Sequence, residues 1–523
     1  MDNKTKRTIF AEDSPFFIMK KTLKTLISTL MLLPLGLFAQ GVDDAICNSQ
    51  TYYEGTSRSM AMGNATGALG GDVTSICINP AGMGLYRTQE FTFTTGLQQT
   101  FMQSTYYGNN QNAGNWRLTI PNMGLIFCTP FSNYEAFRYL QFGIGFTRIN
   151  DFNYNSTAYG LNPNSSMMDA YLQTIDGISE LFYPSTDPGD YLYDHYPYDL
   201  SPAWETFLID QYTDEHGNIY YDSPVPQGNV YQKNEVSSRG RTEEWTFALS
   251  ANLYDKLFVG TSLGLRHIRR SNIRTYSETP ANPNDPNNLF DNWEYIETLG
   301  DTAWGVNFKC GFIYYPASWL RVGAAWHSRT RYAIGEYFDT ETSAMLRFNP
   351  NGEFYHHCYS PGLYQTYEFK TPHTLVGSLA FFIGKQGLIT ADVEYMNYGT
   401  SRFISYEYSF SDVNNNIKDI LKPTFNIRVG TEWRFRQYFI RGGAAYYGSP
   451  YGFGETYGSV KKVAVGLGYA TSQLSTWDFA YELCESTTGY LPYGYYENGQ
   501  NMVDAAVERR WRNKLMVTYK LRL

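Results

Sequence analysis

The feature that most constrains this chain is the alternation of apolar and polar residues over segments of ten or more positions. In the segment 425–436, one alternating set is largely aromatic or aliphatic and includes Phe425 and Trp433. The other set is polar or small and includes Arg428 and Glu432. A helix would scatter both sets around its surface, whereas an extended strand places them on opposite faces. The pattern therefore predicts strands with one apolar face and one polar face.

The same alternation recurs along most of the chain and predicts about fourteen strands, an even number. These strands are expected near 89–103, 115–129, 138–152, 241–254, 257–272, 297–315, 319–333, 367–383, 388–399, 421–436, 437–447, 459–472, 475–487 and 510–522. Tight turns alternate with longer connections, the longest of which is 151–240. Short turns on one side and long loops on the other are typical of outer-membrane β-barrels.

Composition supports a membrane barrel more than a large soluble β-sandwich or propeller. Aromatic residues make up 17% of the 523 positions, with 46 tyrosines, as expected where aromatic girdles mark two membrane interfaces. Downstream of the N-terminus no segment approaches the ~18 apolar residues of a membrane helix, and no repeat of solenoid or propeller length is visible. The predicted fold class is all-β: a transmembrane antiparallel β-barrel.

The N-terminus contains a predicted signal for export. Residues 1–18 are interpreted as an upstream extension that is not native to the protein. Residues 19–39 combine a basic start, an apolar run and a small residue before Gln40, which predicts a secretory signal peptide. The net charge of −9 excludes a role in binding nucleic acid.

Residues 55–84 form a glycine-rich stretch that does not suit the wall of a barrel. It contains seven glycines and no run of large apolar residues, so it is a poor central strand or core helix. We interpret it as a hatch folded inside the lumen, and a flexible linker is the alternative. The predicted domains are a hatch at 40–88 and a barrel at 89–523, with long extracellular loops at 151–240, 273–296 and 334–366.

The hatch resembles that of FadL-type outer-membrane transporters for fatty acids and other hydrophobic compounds. The residues that carry the resemblance are Arg58, Gly63, Asp72, Asn79, Pro80, Ala81 and Gly82. Weaker likenesses follow in the same order as in the family, at 371–373, 391–398 and 427–435. The loops 151–240 and 334–366 match nothing specific in that family.

The resemblance implies a barrel closed by its hatch in the bacterial outer membrane. A hydrophobic ligand such as a long-chain fatty acid would be captured by the extracellular loops and would diffuse without an energy source. It would leave sideways into the membrane lipid through a gap at an inward kink of the third strand. In this sequence Gly143, Gly145 and Asn150 are the candidates for that kink.

A ligand carboxylate would require a cationic partner inside the barrel. The candidates are the inward-facing residues Lys309, Arg321 and Arg428. The alternative is that these basic side chains pair with carboxylates of the lumen and simply fill the barrel. Those carboxylates are Asp392, Glu394, Glu432, Asp478 and Glu482.

The sequence gives little support for catalysis, metal binding or cofactor binding. None of the seven histidines has a catalytic partner at a recognisable spacing, and no catalytic residue, metal site or cofactor is predicted. The six cysteines lack metal-binding spacing, and the sequence leaves open whether Cys47 and Cys77 pair. The alternative function is an outer-membrane scaffold that binds a protein partner through the longest loop, in which 167–182 has helical periodicity.

Overall fold

The wall of the protein consists of long antiparallel strands, seen in a computed structural model that describes residues 41–131, 136–285, 288–348, 352–452 and 457–523. The predicted extension 1–18 and signal peptide 19–39 lie outside the described residues. The strands are β1 Glu90–Tyr106, β2 Asn109–Pro130, β3 Phe137–Asp151, β4 Tyr154–Asn162, β5 Asp210–Thr213, β6 Ile219–Asp222, β7 Val230–Leu253, β8 Leu257–Pro280, β9 Phe290–Ala317, β10 Leu320–His327, β11 Arg331–Phe348, β12 Gly352–Tyr359, β13 Leu363–Lys370, β14 Thr374–Ile383, β15 Gly387–Asn397, β16 Arg402–Ile404, β17 Pro423–Phe435, β18 Tyr438–Tyr447, β19 Val460–Ala470, β20 Ser475–Tyr490, β21 Tyr496–Glu497, β22 Gln500–Asn501 and β23 Ala506–Arg522.

The sheet closes on itself because its first strand pairs with both its neighbour and its last strand. β1 forms ladders with β2 and with β23, in which Glu90 lies opposite Arg522. Several wall strands are interrupted, so that β3 with β4, β10 with β11 and β13 with β14 each occupy one position in the wall. β12 and β16 extend the sheet beyond the ring. The predicted closed barrel of 14 antiparallel strands is confirmed.

The described residues include seven short α-helices, which lie inside the barrel, above it or in its connections. They are α1 Val42–Ser49, α2 Ser57–Ala61, α3 Ser75–Ile78, α4 Met167–Asp176, α5 Pro188–His195, α6 Leu200–Glu205 and α7 Ser411–Ile420, and 3₁₀ helices occur at Pro80–Leu85, Ser179–Phe182 and Tyr398–Thr400. Among the described residues, no helix has the length and apolar character needed to cross a membrane.

The alternation seen in the sequence corresponds to two faces of the wall. On β17, Phe425, Ile427 and Val429 are exposed on the outside of the barrel, whereas Asn426 and Arg428 are buried on the inside. An apolar outer band and a polar interior are the arrangement of a barrel embedded in lipid.

Two of the predicted loops are largely strand. β8 continues to Pro280 and β9 begins at Phe290, so the loop predicted at 273–296 is short. Most of the loop predicted at 334–366 belongs to β11, β12 and the start of β13. Beyond the membrane both faces of a strand meet water or protein, so apolar alternation is lost there while backbone pairing continues.

The connection predicted at 151–240 contains a small folded unit, which we call the cap and define as residues 163–229. It holds α4, α5, α6 and the hairpin of β5 and β6, and the helix expected from the periodicity of 167–182 is present as α4 followed by a 3₁₀ turn. The wall resumes at Val230, eleven positions before the predicted start of that strand.

Candidate functional site

Within the range 40–88 predicted for the hatch, residues 51–86 fill the lumen near the end of the barrel that carries the tight turns, and we use the name hatch for them from here on. Nearly every residue from Thr51 to Gly84 is buried. Its exit into β1 lies beside the turn after β7, where Arg87 donates to Asp255 at 2.6 Å. Short turns mark the periplasmic end of outer-membrane barrels, so the hatch occupies the periplasmic half.

Asp72 is the polar centre of the hatch. Its carboxylate accepts from the Thr56 hydroxyl at 2.7 Å and from the Thr74 amide at 3.0 Å. Lys520 of β23 lies 2.7 Å away. Burial alone would raise the pKa of Asp72, but the charges of Lys520 and Arg58 and the hydrogen bonds hold it well below the usual range. Asp72 is therefore ionised at neutral pH and ties the hatch to the wall.

Arg58 makes a second tie to the wall. Its guanidinium donates two hydrogen bonds to Glu432 of β17, at 2.8 and 3.0 Å, and a third to the carbonyl of Gly71. Glu432 also accepts from Arg441 at 2.5 Å. Two-point contacts of this kind fix orientation as well as distance.

The Asn79–Gly82 segment sets the last turn of the hatch. The Asn79 side chain accepts from the Ala81 amide at 3.2 Å and donates to the carbonyls of Gly67 and Phe312 at 2.8 and 3.1 Å. Pro80 follows at the first position of the 3₁₀ helix, where its missing N–H is not needed. One side chain therefore joins two parts of the hatch to β9.

The wall and the hatch approach each other closely at glycines of both. Gly63 has a φ of 62°, and a Cβ there would lie 2.6 Å from the carbonyl oxygen of Ala444. A Cβ on Gly443 would lie 2.3 Å from the Gly63 nitrogen, and one on Gly430 would lie 2.5 Å from the Met62 oxygen. The polar interior thus accepts the hatch through backbone contact, which explains why the lumen face carries so many small residues.

Above the hatch lies α1, in an apolar chamber lined by the upper wall. Val42, Ala45 and Ile46 of α1 belong to a buried cluster with aromatic and aliphatic residues of the wall and of α7. The lining residues of this chamber are Phe152, Ile268, Ala303, Tyr332, Ile334, Tyr367, Phe369, Met396, Tyr398, Phe403, Phe410, Ile417 and Leu421. α1 thus occupies the apolar space above the hatch.

Polar contacts to the upper wall and its connections hold α1 in that chamber, one of them between the hydroxyls of Ser49 and Ser401 at 3.3 Å. Asp44 pairs with Arg270 of β8 at 2.6 Å, and the Tyr451 hydroxyl donates to Asp43 at 2.6 Å. Between α1 and the hatch, a polar cavity of about 10 Å³, room for one water molecule, is lined by Tyr53, Arg266 and Glu394 among others.

The basic residues predicted to contact a ligand carboxylate are engaged with the protein itself. Lys309 is fully buried and pairs with Glu244. Arg428 pairs with Glu394 at 3.1 Å and lies 3.7 Å from Asp392. These two residues follow the alternative stated above, in which lumen charges pair with one another.

Arg321 is neither free to bind a ligand nor paired with a carboxylate among the described residues. It donates to the Leu69 carbonyl of the hatch at 2.8 Å and its guanidinium lies over the rings of Tyr315 and Phe382. Of the carboxylates expected to neutralise the lumen, Asp478 pairs with Arg441 at 2.6 Å and Glu482 with Lys462 at 3.6 Å.

The side wall is discontinuous between β2 and β3. Their ladder runs from Pro130 to Asn122, which lies opposite Thr147, and ends there although β2 extends back to Asn109. β3 shifts register against β7 between Arg148 and Asn150. From Thr147 to Asn153 every residue is buried, so the chain turns into the lumen.

The structure corrects the position predicted for the kink. Gly143 and Gly145 lie within regular ladders to β2 and β7. A Cβ at either glycine would meet hatch side chains, Met83 at 2.5 Å and Ile76 at 2.4 Å. These two glycines accommodate the hatch, whereas Asn150 lies at the register shift itself.

We use the term side gap for the place where the ladder between β2 and β3 is missing. Polar side-chain contacts fill this side gap. Arg117 of β2 reaches Asp151, and Arg148 donates to the Thr119 hydroxyl. Arg148 also lies 3.5 Å from Glu243 of β7. The edges of the side gap are thus joined by side chains where the backbone ladder is missing.

Sequence reasoning missed three residues that hold the hatch. Glu54 pairs with Lys514 of β23, and its amide donates to the Arg148 carbonyl at 2.8 Å, so the hatch is anchored at the edge of the side gap. Lys520 binds Asp72. Lys514 and Lys520 stand at alternating positions of the last strand, so alternation indicates that they share a face but does not identify their partners.

The cap closes the other end of the barrel. Its apolar side chains Met168, Tyr171 and Ile175 pack against Trp293 on the outer extension of the wall. Beneath them, the fully buried Glu278 accepts hydrogen bonds from Ser166, Met167, Gln232, Tyr276 and Trp293, at 2.6 to 3.0 Å. The barrel is therefore closed at both ends.

The cysteines and histidines form no further site. All six cysteines are free thiols in the structure, and Cys47 and Cys77 belong to different apolar clusters. His357 contacts Glu341 at 2.6 Å. No group of side chains suited to hold a metal occurs within the described ranges of the chain.

No family model and no curated protein matches this sequence. Solved structures do match its fold along nearly the whole chain. A FadL homologue of Pseudomonas aeruginosa is 11% identical, with a TM-score of 0.52, and the match covers 90% of this chain and 99% of that one. The P. putida toluene transporter TodX is 12% identical, with a TM-score of 0.50 and coverage of 89% and 97%. The chain has the FadL fold, which is that of a bacterial outer-membrane barrel.

Proposed function

We propose that this protein, a barrel with the FadL fold, is a passive channel that takes hydrophobic molecules up through the outer membrane and releases them sideways through its wall. The side gap is the observation that carries the proposal. A plugged lumen offers a lipophilic molecule no efficient aqueous route, whereas an opening in the wall leads directly into the bilayer.

The first step of the proposed route lies in the apolar chamber. α1 fills this space with small and aliphatic side chains, and its polar ties involve two acidic residues at its start. An incoming hydrophobic molecule would compete with α1 for the same lining. Burial of apolar surface in the chamber supplies the driving force, about 25 cal/mol per Å².

The second step is passage through the side gap. Backbone pairing is absent there, so opening the gap requires separation of side-chain contacts and leaves the ladders intact. The Arg117–Asp151 and Arg148–Thr119 contacts are the ones that must part. On the outside, Trp116, Leu118 and Ile120 of β2 are exposed at 65%, 78% and 47% and present an apolar surface to the lipid.

The experiment is a mapped photo-cross-linking assay on the full-length protein in outer-membrane vesicles. Two diazirine probes are used, one a long-chain fatty acid and the other an aromatic hydrocarbon, each with and without excess unlabelled compound. Competable labelling should fall on the chamber lining and on residues 109–121 and 148–162. Labelling of 423–447 by probe dissolved in the bilayer serves as the control and should not be competable.

Uptake measurements complete the test. The wild type should accumulate at least one hydrophobic probe and exclude a sugar of similar size. An R117Q/R148Q variant, which loosens the side gap, should take up the hydrophobic probe faster. If no hydrophobic probe gives competable labelling or uptake, the channel hypothesis is wrong.

A second candidate function is a scaffold for a protein partner, and the folded cap favours it. The cap exposes several aromatic side chains to the exterior, among them Tyr183, Tyr193, Tyr212 and Tyr220. Aromatic residues are enriched in protein interfaces. Replacing residues 164–228 by a short linker should abolish capture of a protein partner if the scaffold hypothesis is correct, and should leave uptake largely intact if the channel hypothesis is correct.

A further inference from the structure

Two arginines on the outside of the barrel form a basic patch at the edge of the membrane band. Arg241 of β7 lies directly opposite Arg269 of β8 in the ladder. Both share the outward face with Trp245 and Leu263, and both are exposed. Like charges directly opposite one another destabilise a sheet, so this pair calls for a compensating anion.

The protein supplies only part of that compensation. Arg241 pairs with Glu243 at 2.5 Å, but Glu243 is shared with Arg148 at 3.5 Å. Arg269 has no hydrogen-bonding or ion-pair partner among the residues that the structure describes. Arg239, which is next on the outward face of β7, binds Asn155 at 2.7 Å and adds positive charge. The exposed part of the patch therefore carries a net positive charge.

The position of the patch indicates what kind of anion would meet it. His267, two residues before Arg269, stacks on Trp304 with ring centroids 4.4 Å apart, and Trp304 is 59% exposed on the outside of the wall. Exposed tryptophans at the end of an apolar band mark the level of lipid headgroups. Arg269 is the next residue after His267 on the outward face of β8, and it lies closer to the cap than Trp304 does.

We propose that Arg241 and Arg269 bind the phosphate of a lipid headgroup in the outer leaflet. Arginine forks match phosphate oxygens with paired hydrogen bonds, and the arginine stems lie along the apolar band while the charges reach the headgroup. The lipid would sit beside the side gap, because Glu243 links the patch to Arg148. This proposal does not depend on transport, so either can fail without the other.

Native mass spectrometry of the delipidated full-length protein provides the test. The protein is titrated with bisphosphorylated lipid A, with lipid A lacking its phosphates, and with inorganic phosphate. Each arginine near anionic lipid contributes about 1 kcal/mol, so R241Q/R269Q should bind bisphosphorylated lipid A about thirtyfold more weakly. The R241K/R269K variant should retain part of the affinity, because lysine keeps the charge and loses the fork.

The matched control is R509Q. Arg509 is exposed on β23 and lies opposite Gln103 and Thr487, so it has no like-charged neighbour across the ladder. R509Q should bind lipid A as the wild type does. In lipid-free detergent, R269Q should unfold at a higher temperature than the wild type, because the substitution removes repulsion within the pair; that result also shows that the variant is folded.

Three outcomes would overturn the proposal. The first is unchanged affinity of R241Q/R269Q for bisphosphorylated lipid A. The second is equal affinity of the wild type for lipid A with and without phosphates. The third is binding of inorganic phosphate as tight as that of the lipid, which would assign the patch to a free anion.

Discussion

At the scale of single residues, two adjacent glycines of β18 face opposite sides of the wall. Gly443 faces the hatch, where a Cβ would lie 2.3 Å from backbone atoms of Met62 and Gly63. Gly442 faces outward and has no atom near the position of an added Cβ. The same substitution at these two positions therefore separates hatch contact from strand propensity.

We expect G443A to lower the free energy of unfolding by about 1–3 kcal/mol, as overpacking does, because the hatch backbone must move. G442A should change it by less than about 0.5 kcal/mol. Heat-modifiable electrophoretic mobility, followed as a function of temperature, measures both. Equal melting temperatures for the two variants would contradict the close contact between hatch and wall.

Arg58 should be the residue whose loss most loosens the hatch. Removal of one partner from a buried ion pair costs about 3–5 kcal/mol, and the lower end applies because Glu432 keeps Arg441. Cys77 of α3 is fully buried and reports on hatch opening through its rate of reaction with a maleimide. We expect the R58Q variant to label at Cys77 at least about tenfold faster.

The control for R58Q is R331Q, which removes an exposed ion pair between Arg331 and Glu368 on the outer face. Exposed pairs contribute little to stability, so Cys77 should react at the wild-type rate. An R58Q protein whose Cys77 stays protected would show that the remaining ties suffice to hold the hatch.

The partners of charged side chains in the lumen could not be predicted from the sequence. Alternation is enough to assign Lys514, Lys520 and Arg428 to the lumen face of their strands. Their partners, Glu54 and Asp72 in the hatch and Glu394 across a ladder, lie far away in sequence or depend on register. Spacing along one strand carries no information on such partners, so a free cation and a paired one look the same in sequence.

At the scale of elements, α4 of the cap contains a carboxylate with an unusual environment. Asp169 accepts from the Ser166 amide at 2.7 Å in a capping box, and it is 8% exposed. Burial raises the pKa of Asp169 to about 6, from an ordinary value of 3.8. The folded cap therefore binds a proton more tightly than the unfolded chain does.

The sign of the pH effect follows from that difference. For a carboxyl group whose pKa is raised in the folded state, the stabilisation is fully present below pH ~4 and is lost as the pH rises through about 6. We expect the α4 amides to exchange faster at pH 7.5 than at pH 4.5, after correction for intrinsic exchange rates. Hydrogen exchange with mass spectrometry measures this difference.

The variant that tests the assignment is D169N, with D176N as its control. The amide of D169N can still accept from Ser166 but does not titrate, so most of the pH dependence of exchange in α4 should disappear. Asp176 is exposed at the end of the same helix, and D176N should keep the wild-type dependence. Equal pH dependence in all three proteins would contradict the role of Asp169.

Elements inside the membrane band were predictable and those beyond it were not. β17 was predicted at 421–436 and spans Pro423–Phe435, because lipid on one side and the lumen on the other impose alternation. β7 begins at Val230, whereas 241 was predicted, because its outer half meets the cap and β4. The inward turn of β3 lies at Arg148–Asn150 and depends on pairing with the hatch, which local sequence does not encode.

At the scale of the whole molecule, the barrel carries two independent closures. The hatch fills the periplasmic half through ties to β17 and β23, and the cap covers the outer end through an apolar cluster and the buried Glu278. Neither the hatch nor the β5–β6 hairpin of the cap contributes a strand to the sheet of the wall. The side gap lies between the closures, on the route proposed above for a molecule held in the chamber.

This arrangement predicts which closure blocks the flow of ions through the lumen. We expect the full-length protein to show little conductance in planar bilayers, and a variant lacking residues 55–84 to form open channels, because fourteen strands enclose a lumen wide enough for water. Replacement of 164–228 by a short linker should leave conductance low, because the hatch still fills the barrel. Heat-modifiable mobility shows that each variant is folded. A folded hatch deletion that does not conduct would mean that residues 55–84 are not the barrier, whereas conductance after loss of the cap alone would assign that role to the cap.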